Sequence, residues 1–527
     1  MATSGGERLV AGRLALREFS LLEAVALPAA LVLLVGLTRI PFRTRYLLNW
    51  DAGQFALGLS SFDVAHHQPH PPGYIGYVAL GRLLLPIFGD PNTALVVLSI
   101  AGEAAAVLLA YAFARSLFGI FAALVTGLAM VSSPLFWYYG EVANVYALEP
   151  ALVLAIAWFA WRAWQGDRGA ALGTAASLAL AGAVRPSTMV LLAPLTAAAV
   201  WRQRDRGQAL RAATIFSLGV AAWLVPLLIL SGGPFGYLQA SLQLGGTVTS
   251  GTALWRAGVA GLLANAKVVA AGLLWELGAF SLPALFGLAV APRLNIRLGL
   301  PREWRGFCWL WAAPAVATYL LVHIGQAAYV QSFAPALLLT LGPAVLATGR
   351  ALQRLPWTPS IALAATLLNA GIFLLPVPSG MAMQLAAHDR RVAAVEAIIR
   401  SSPPAQTTLF TDGIAVGSYR LAQVYLPEYE RVAIAFDDRG ALGQVYGDVY
   451  DLTGFRHARP LPGSAVSRTY VFLDAELVSR VVADPERMTS TVLTDGSRIY
   501  TWSGPAPRVH YGQVWLGPAY HVNRGLG

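Results

Sequence analysis

The chain has 527 residues, of which 56% are hydrophobic and only 12% charged. That is about half the charged share of a soluble domain, so most of the chain is built to sit in lipid. Net charge is +10, but the basic residues, nearly all arginine with Lys267 the only lysine, are dispersed in short loops between apolar runs; this is membrane topology and not a nucleic-acid face. A single cysteine, Cys308, excludes an intramolecular disulfide and a multi-cysteine metal site.

Arg8, Arg13 and Arg17 precede an apolar run from Leu21 to Leu37 that has no small-residue cleavage site. This reads as a signal anchor retained as the first span. With about 20 apolar residues per span, spans are predicted near 21–39, 92–114, 120–138, 143–163, 170–184, 187–201, 212–231, 266–290, 306–323, 329–348 and 359–376. The apolar stretch Tyr74 to Phe88 is short and interrupted by Arg82, so it is expected to lie at the interface.

From His388 the character changes. A polar helix over Asp389–Arg400, a Pro-Pro turn, a strand over Thr407–Thr411 and a helix through Tyr419 are predicted, with further strands at Arg431–Phe436, Thr469–Leu473 and Arg498–Trp502. The expectation is a polytopic α-helical membrane protein with about 11 transmembrane helices and a C-terminal extracytoplasmic α/β domain. Its membrane domain covers 1–376 with a first outer loop at about 41–72, and the α/β domain covers 377–527. With the N-terminus cytoplasmic, Arg115, Arg162, Arg168, the cluster Arg202, Arg204, Arg206 and Arg211, and Arg293, Arg297, Arg302 and Arg305 fall in cytoplasmic loops, as the positive-inside rule requires. The abundance of Arg, Ala, Gly and Pro suits a GC-rich bacterial genome, which places the protein in a bacterial cytoplasmic membrane.

Chemistry collects in the outer loops. The first holds Asp51 beside Trp50, then His66, His67 and His70 ahead of Pro71-Pro72-Gly73, a dense polar cluster of the kind that carries function. Asp51 could equally start a short helix as its N-cap. The histidines raise a metal site, but the prolines argue against a helix that would gather them, so a divalent metal is left open and no cofactor is assigned. Glu141 lies where two spans meet on the same side, and Glu103 and Glu149 fall deeper in theirs. Arg185, alone between two apolar runs, suits a phosphate or carboxylate partner, or a structural pair with a carboxylate such as Glu141. His323, Gln326 and Tyr329 form a further polar turn on that side.

An Asp just past the first span, a His-Pro-Pro-Gly stretch before an apolar helix, a Glu at the next outer junction, Arg185-Pro186-Ser187 and a late Gln326-Ala327-Ala328-Tyr329 turn follow one another in order. The arrangement, over roughly residues 20–376, resembles the GT-C glycosyltransferases, in particular bacterial relatives of the protein O-mannosyltransferases and the lipid A aminoarabinose transferase. The resemblance implies transfer of a sugar from a polyprenyl-phosphate carrier to an acceptor (glycan, lipid or protein) at the extracytoplasmic face. Asp51 would then be the general base, His70 and Arg185 would bind the donor phosphate, and Glu141, His66, His67, Gln326 and Tyr329 would bind substrate. Two departures leave the sugar and acceptor undetermined: no Glu follows Asp51 as in the mannosyltransferases, and His70 stands where the aminoarabinose transferase has Lys. A multi-span transporter or flippase of a lipid-linked or polar substrate is the alternative, but transporters place their sites near the midplane and often show two similar halves, and neither feature is present in the sequence.

Overall fold

The computed structural model describes residues 21–65, 67–353, 355–377, 380–412, 418–436, 442–446, 468–473, 475, 478–479, 482, 484–493 and 496–504. Arg8, Arg13, Arg17 and His66 lie outside the described residues.

Helices dominate. In chain order they are α1 (Leu27–Arg39), α2 (Trp50–Ser60), α3 (Ile75–Phe88), α4 (Pro91–Phe118), α5 (Ile120–Ser132), α6 (Pro134–Gly140), α7 (Glu149–Trp164), α8 (Arg168–Val184), α9 (Pro186–Arg202), α10 (Arg206–Leu230), α11 (Gly233–Thr249), α12 (Leu254–Leu277), α13 (Ser281–Val290), α14 (Trp304–Leu321), α15 (Ala334–Ala351), α16 (Thr358–Leu374), α17 (Met381–Arg400) and α18 (Ser418–Tyr425). Their starts are written locally. Asp90, Asp167 and Asp205 accept hydrogen bonds from backbone N–H groups in the first turns of α4, α8 and α10, and Pro91 and Pro186 occupy first helical positions, where a missing N–H costs nothing.

Each predicted span coincides with a helix or a pair of helices, but among the described residues length and apolarity mark five as long enough to cross a membrane: α4, Val145–Trp164, α10, Leu254–Val290 and α15. The α5–α6 pair, bent by 59° at Ser133-Pro134, is a sixth. Of the rest, α1, α8, α9 and α16 have 13 to 17 residues, and α14, with 18, is not apolar enough, so the expected eleven spans are not reached on length and composition alone. Burial sorts the long helices: 72% of the apolar window of α15 is inside the bundle and only 6% of that of α10, so α15 is central and α10 forms the rim.

The C-terminal part is a six-stranded mixed sheet in the order β3-β2-β1-β4-β6-β5, formed by β1 (Thr407–Asp412), β2 (Glu430–Phe436), β3 (Leu442–Tyr446), β4 (Arg468–Phe472), β5 (Thr489–Val492) and β6 (Arg498–Gly504). β1 is parallel to both β2 and β4, and the outer pairs are antiparallel. Leu409 and Val471 of the sheet pack with Ile399 of α17 and with Ala422, Leu426 and Tyr429. Three elements go beyond the sequence reading: α11, β3 and β5. α17 also begins at Met381, ahead of the predicted Asp389.

Helices in lipid pack through small residues, and Gly342 shows the tolerance: a Cβ there would lie 2.4 Å from Cα and Cβ of Ala122, fastening α15 to α5. Gly342→Val is expected to destabilise the bundle by about 1–3 kcal/mol through overpacking. Thermal unfolding in detergent checks this, and an unchanged midpoint contradicts it.

Candidate active site

Asp51 is not the cap of its helix. Asn49 is: its side chain accepts from the Ala52 N–H at 3.0 Å, leaving the Asp51 carboxylate in the first turn of α2 and part-exposed. Its Oδ2 accepts a hydrogen bond from Nε2 of Gln326 at 3.0 Å, and the Gln326 carbonyl accepts from the Tyr139 hydroxyl at 3.0 Å. The amide is thereby held from both ends, with its N–H aimed at the carboxylate.

On the other side of the carboxylate stands His70, whose Nδ1 is 3.8 Å from Oδ1 of Asp51. Nδ1 lies 2.5 Å from Oε1 of Gln54, and the same oxygen accepts from the His70 backbone N–H at 3.2 Å. An amide oxygen only accepts, so Nδ1 carries a proton. Burial lowers the His70 imidazole below the ordinary histidine range; the Asp51 carboxylate pulls the other way, and Arg420 pushes with burial. The neutral ring therefore keeps a lone pair on Nε2. Gln54 also reaches His67, with Nε2 3.5 Å from its Nδ1. Among the described residues no three His, Cys, Asp or Glu side chains gather as they would around a metal ion.

Arg185 follows α8 and precedes Pro186 at the start of α9. It is buried and ion-paired with Glu149, whose other oxygen accepts from the Thr188 hydroxyl at 2.5 Å. The carboxylate partner is thus Glu149 at the start of α7 and not Glu141. The guanidinium packs against two adjoining rings, 4.8 Å from the centroid of Tyr146 and 4.4 Å from that of Tyr329, within the range of cation–π attraction. Tyr74 and Tyr146 both sense the charges of Asp51 and Arg185. Tyr74 also stacks edge-on to His70 at 5.0 Å.

The structure therefore brings Asp51, His70, Gln326, Tyr329 and Arg185 around one tyrosine-lined region, with His67 behind Gln54. It does not bring Glu141 into contact with them. Glu141 is buried, its carboxylate accepts from the Trp137 indole N–H at 2.5 Å, and its neighbours are Arg39 and Glu103, which form their own buried ion pair at 2.7 Å. Gln54, Tyr139, Tyr146 and Arg420 carried no sequence signal. For Glu149 the signal was an acid inside an apolar run, which marks a paired or functional group.

Against known proteins, the segment 70–230 matches the family model of dolichyl-phosphate-mannose-protein mannosyltransferases. His70, Glu149 and Arg185 fall inside that segment; Asp51 and Gln326 fall outside it. No curated protein matches the chain by sequence. Among solved structures, ArnT from Cupriavidus metallidurans bound to undecaprenyl phosphate superposes with a TM-score of 0.59 at 12% identity, covering 92% of this chain and 98% of that one. The chain has the GT-C fold. The apo form of the same ArnT gives a TM-score of 0.54 at 13% identity over 90% of this chain and 97% of that one. With five helices long and apolar enough to cross a membrane among the described residues, the chain reads as a multi-pass membrane protein, with the site at the end of the bundle where α2, the α8–α9 junction and the Gln326 turn meet.

The Glu149 carboxylate compensates a buried charge. Glu149→Ala is expected to destabilise the protein by about 3–5 kcal/mol, because it leaves the Arg185 guanidinium unpaired among tyrosines. Thermal unfolding in detergent measures the loss, and a variant as stable as wild type contradicts the pairing.

Proposed function

We propose that the chain is a glycosyltransferase that moves a sugar from a polyprenyl-phosphate carrier to an acceptor hydroxyl at the extracytoplasmic face of a bacterial cytoplasmic membrane. The observation that carries this reading is the meeting of a part-exposed carboxylate, Asp51, with a histidine, His70, and a caged guanidinium, Arg185, at one end of a GT-C bundle. The ArnT whose fold it resembles was crystallised bound to undecaprenyl phosphate.

In the proposed step Asp51 takes the proton of the acceptor hydroxyl as its oxygen bonds to the anomeric carbon. The bond from that carbon to the phosphate oxygen breaks, and polyprenyl phosphate leaves with the electron pair. The Gln326 amide, fixed by Tyr139, holds the carboxylate in one orientation, which is the preorganisation a base needs. Arg185 supplies fixed positive charge for the leaving phosphate. Its counter-ion Glu149 and the two rings keep the guanidinium in place while the site is empty.

His70 adds a proton-linked contact. With Nδ1–H committed to Gln54, Nε2 can donate to a phosphate oxygen only after taking up a second proton. The imidazole is held below its ordinary range before the donor arrives, so donor binding carries a proton in with it. Donor affinity should therefore rise as pH falls from about 8 to about 6, by up to about tenfold per unit for one proton. The donor phosphate, a diester, does not titrate there. Equilibrium binding of a polyprenyl-phosphate sugar across that range tests this; His70→Gln should flatten the profile, and an equally steep profile in that variant contradicts the assignment.

The reading itself is tested with purified wild-type protein in liposomes, supplied with a panel of polyprenyl-phosphate sugars or with nucleotide sugars and a membrane extract as acceptor. Labelled sugar should leave at least one polyprenyl-phosphate donor, with release of polyprenyl phosphate. Transfer from nucleotide sugars alone refutes the reading.

A further inference from the structure

The helix that carries Asp51 is gripped from the C-terminal part of the chain. The backbone N–H groups of Arg45 and Tyr46 donate to the two oxygens of Asp389 at 2.8 and 3.2 Å. The next residue, Leu47, is held at both polar atoms: its N–H donates to the Tyr425 hydroxyl at 2.8 Å, and its carbonyl lies 3.0 Å from Nε2 of His388. Asp389 and His388 belong to α17 and Tyr425 to α18, more than 340 residues away in sequence. The run-in to α2 is thus pinned before the helix begins.

Arg420 extends the grip onto α2 itself. It is fully buried, and its guanidinium lies 5.2 Å from the centre of the Trp50 ring. A Cβ built on Gly53 would come within 2.6 Å of Cβ of Arg420, so the two helices approach as closely as glycine permits. Trp50 and Gly53 flank Asp51 by one and two positions. The opposite face of α18 is anchored as well, since Ala422 packs into the core built on Leu409 and Val471 of the sheet. Leu421, Val424 and Tyr425 pack against the cluster that contains Leu47 and Ala52. α18 is a wedge between the sheet and the helix of the base.

We propose that the C-terminal domain is a working part of the site, with Arg420 as the positioning residue that fixes α2 and so aims the Asp51 carboxylate. The role rests on the glycosyltransferase reading for its consequence in turnover, but not for its geometry. Arg420 contacts Trp50 and Gly53 on either side of Asp51, so its loss should lower kcat without weakening donor binding in step.

Two full-length variants separate the parts of the contact. Arg420→Met keeps the stem against Gly53 and removes the guanidinium from Trp50, whereas Gly53→Ala keeps the guanidinium and pushes the helices apart. Each is expected to lower kcat by roughly 10- to 100-fold, since displacing a catalytic group by about an ångström costs on that order. Donor KM should stay within about twofold in Gly53→Ala, which keeps the guanidinium, and should not rise in step with the loss of kcat in Arg420→Met, where removing a charge that disfavours protonated His70 can only favour the donor. Hydrogen–deuterium exchange across Trp50–Ser60 should quicken in both variants. Unchanged kcat in both, unchanged exchange, or donor binding lost in step with kcat overturns the proposal. If wild type transfers no sugar from any polyprenyl-phosphate donor, the reading of the reaction falls, and the exchange of α2 still decides whether the grip exists.

Discussion

The end of the bundle that holds the site is built on one buried ion pair, Arg185 with Glu149. A guanidinium at the end of two apolar helices cannot be left without a counter-charge, because lipid and packed side chains offer it no water. The pair joins the start of α7 to the junction of α8 and α9. The adjoining rings of Tyr146 and Tyr329, both packed against the cation, draw in the turn that leads into α15. That turn carries Gln326, and Gln326 reaches Asp51. The position of the proposed base thus follows from the placement of a charge that is not itself the base.

Two polar clusters occupy neighbouring parts of the structure and do different work. Arg39, Glu103, Trp137 and Glu141 form a buried knot: Arg39 bonds to Glu103 at 2.7 Å and to the Val131 carbonyl at 2.7 Å, and its guanidinium lies 5.0 Å from the Trp137 ring. It ties α1, α4 and α6 together and is closed to solvent. Asp51 and His70 are part-exposed. Exposure, more than residue type, separates a carboxylate that can meet an acceptor from one that holds helices.

The sequence made the helices legible because each predicted span is an apolar run, several of them opened by a capping Asp or a Pro, and the structure has a helix at each. The number that cross the membrane was less legible, since α1, α8, α9 and α16 are helical yet short. α11 was missed because its Gly- and Gln-containing run lacks the hydrophobicity of a span. At the site, Asp51, His70, Arg185 and Gln326 stood out as polar residues at span ends. Their pairings did not: Gln54 is an ordinary polar residue in an amphipathic turn, Glu149 sits 36 residues from Arg185, and Arg420 lies far along the chain in α18. Pairings over such separations are set by how helices pack, which no local pattern encodes. Glu141 shows the converse, a site-like residue in sequence that folding turns toward Trp137.

The central claim, that Asp51 is the base of a lipid-phosphate-dependent transfer, is tested most directly by single-turnover transfer with Asp51→Asn beside wild type, each preloaded with a polyprenyl-phosphate sugar. Asparagine preserves the shape and can still bond to Gln326, but it cannot accept the acceptor proton. The account predicts that the variant retains the donor and that transfer falls by at least about 100-fold, the usual contribution of a general base. Transfer at the wild-type rate from a fully loaded Asp51→Asn variant would contradict it.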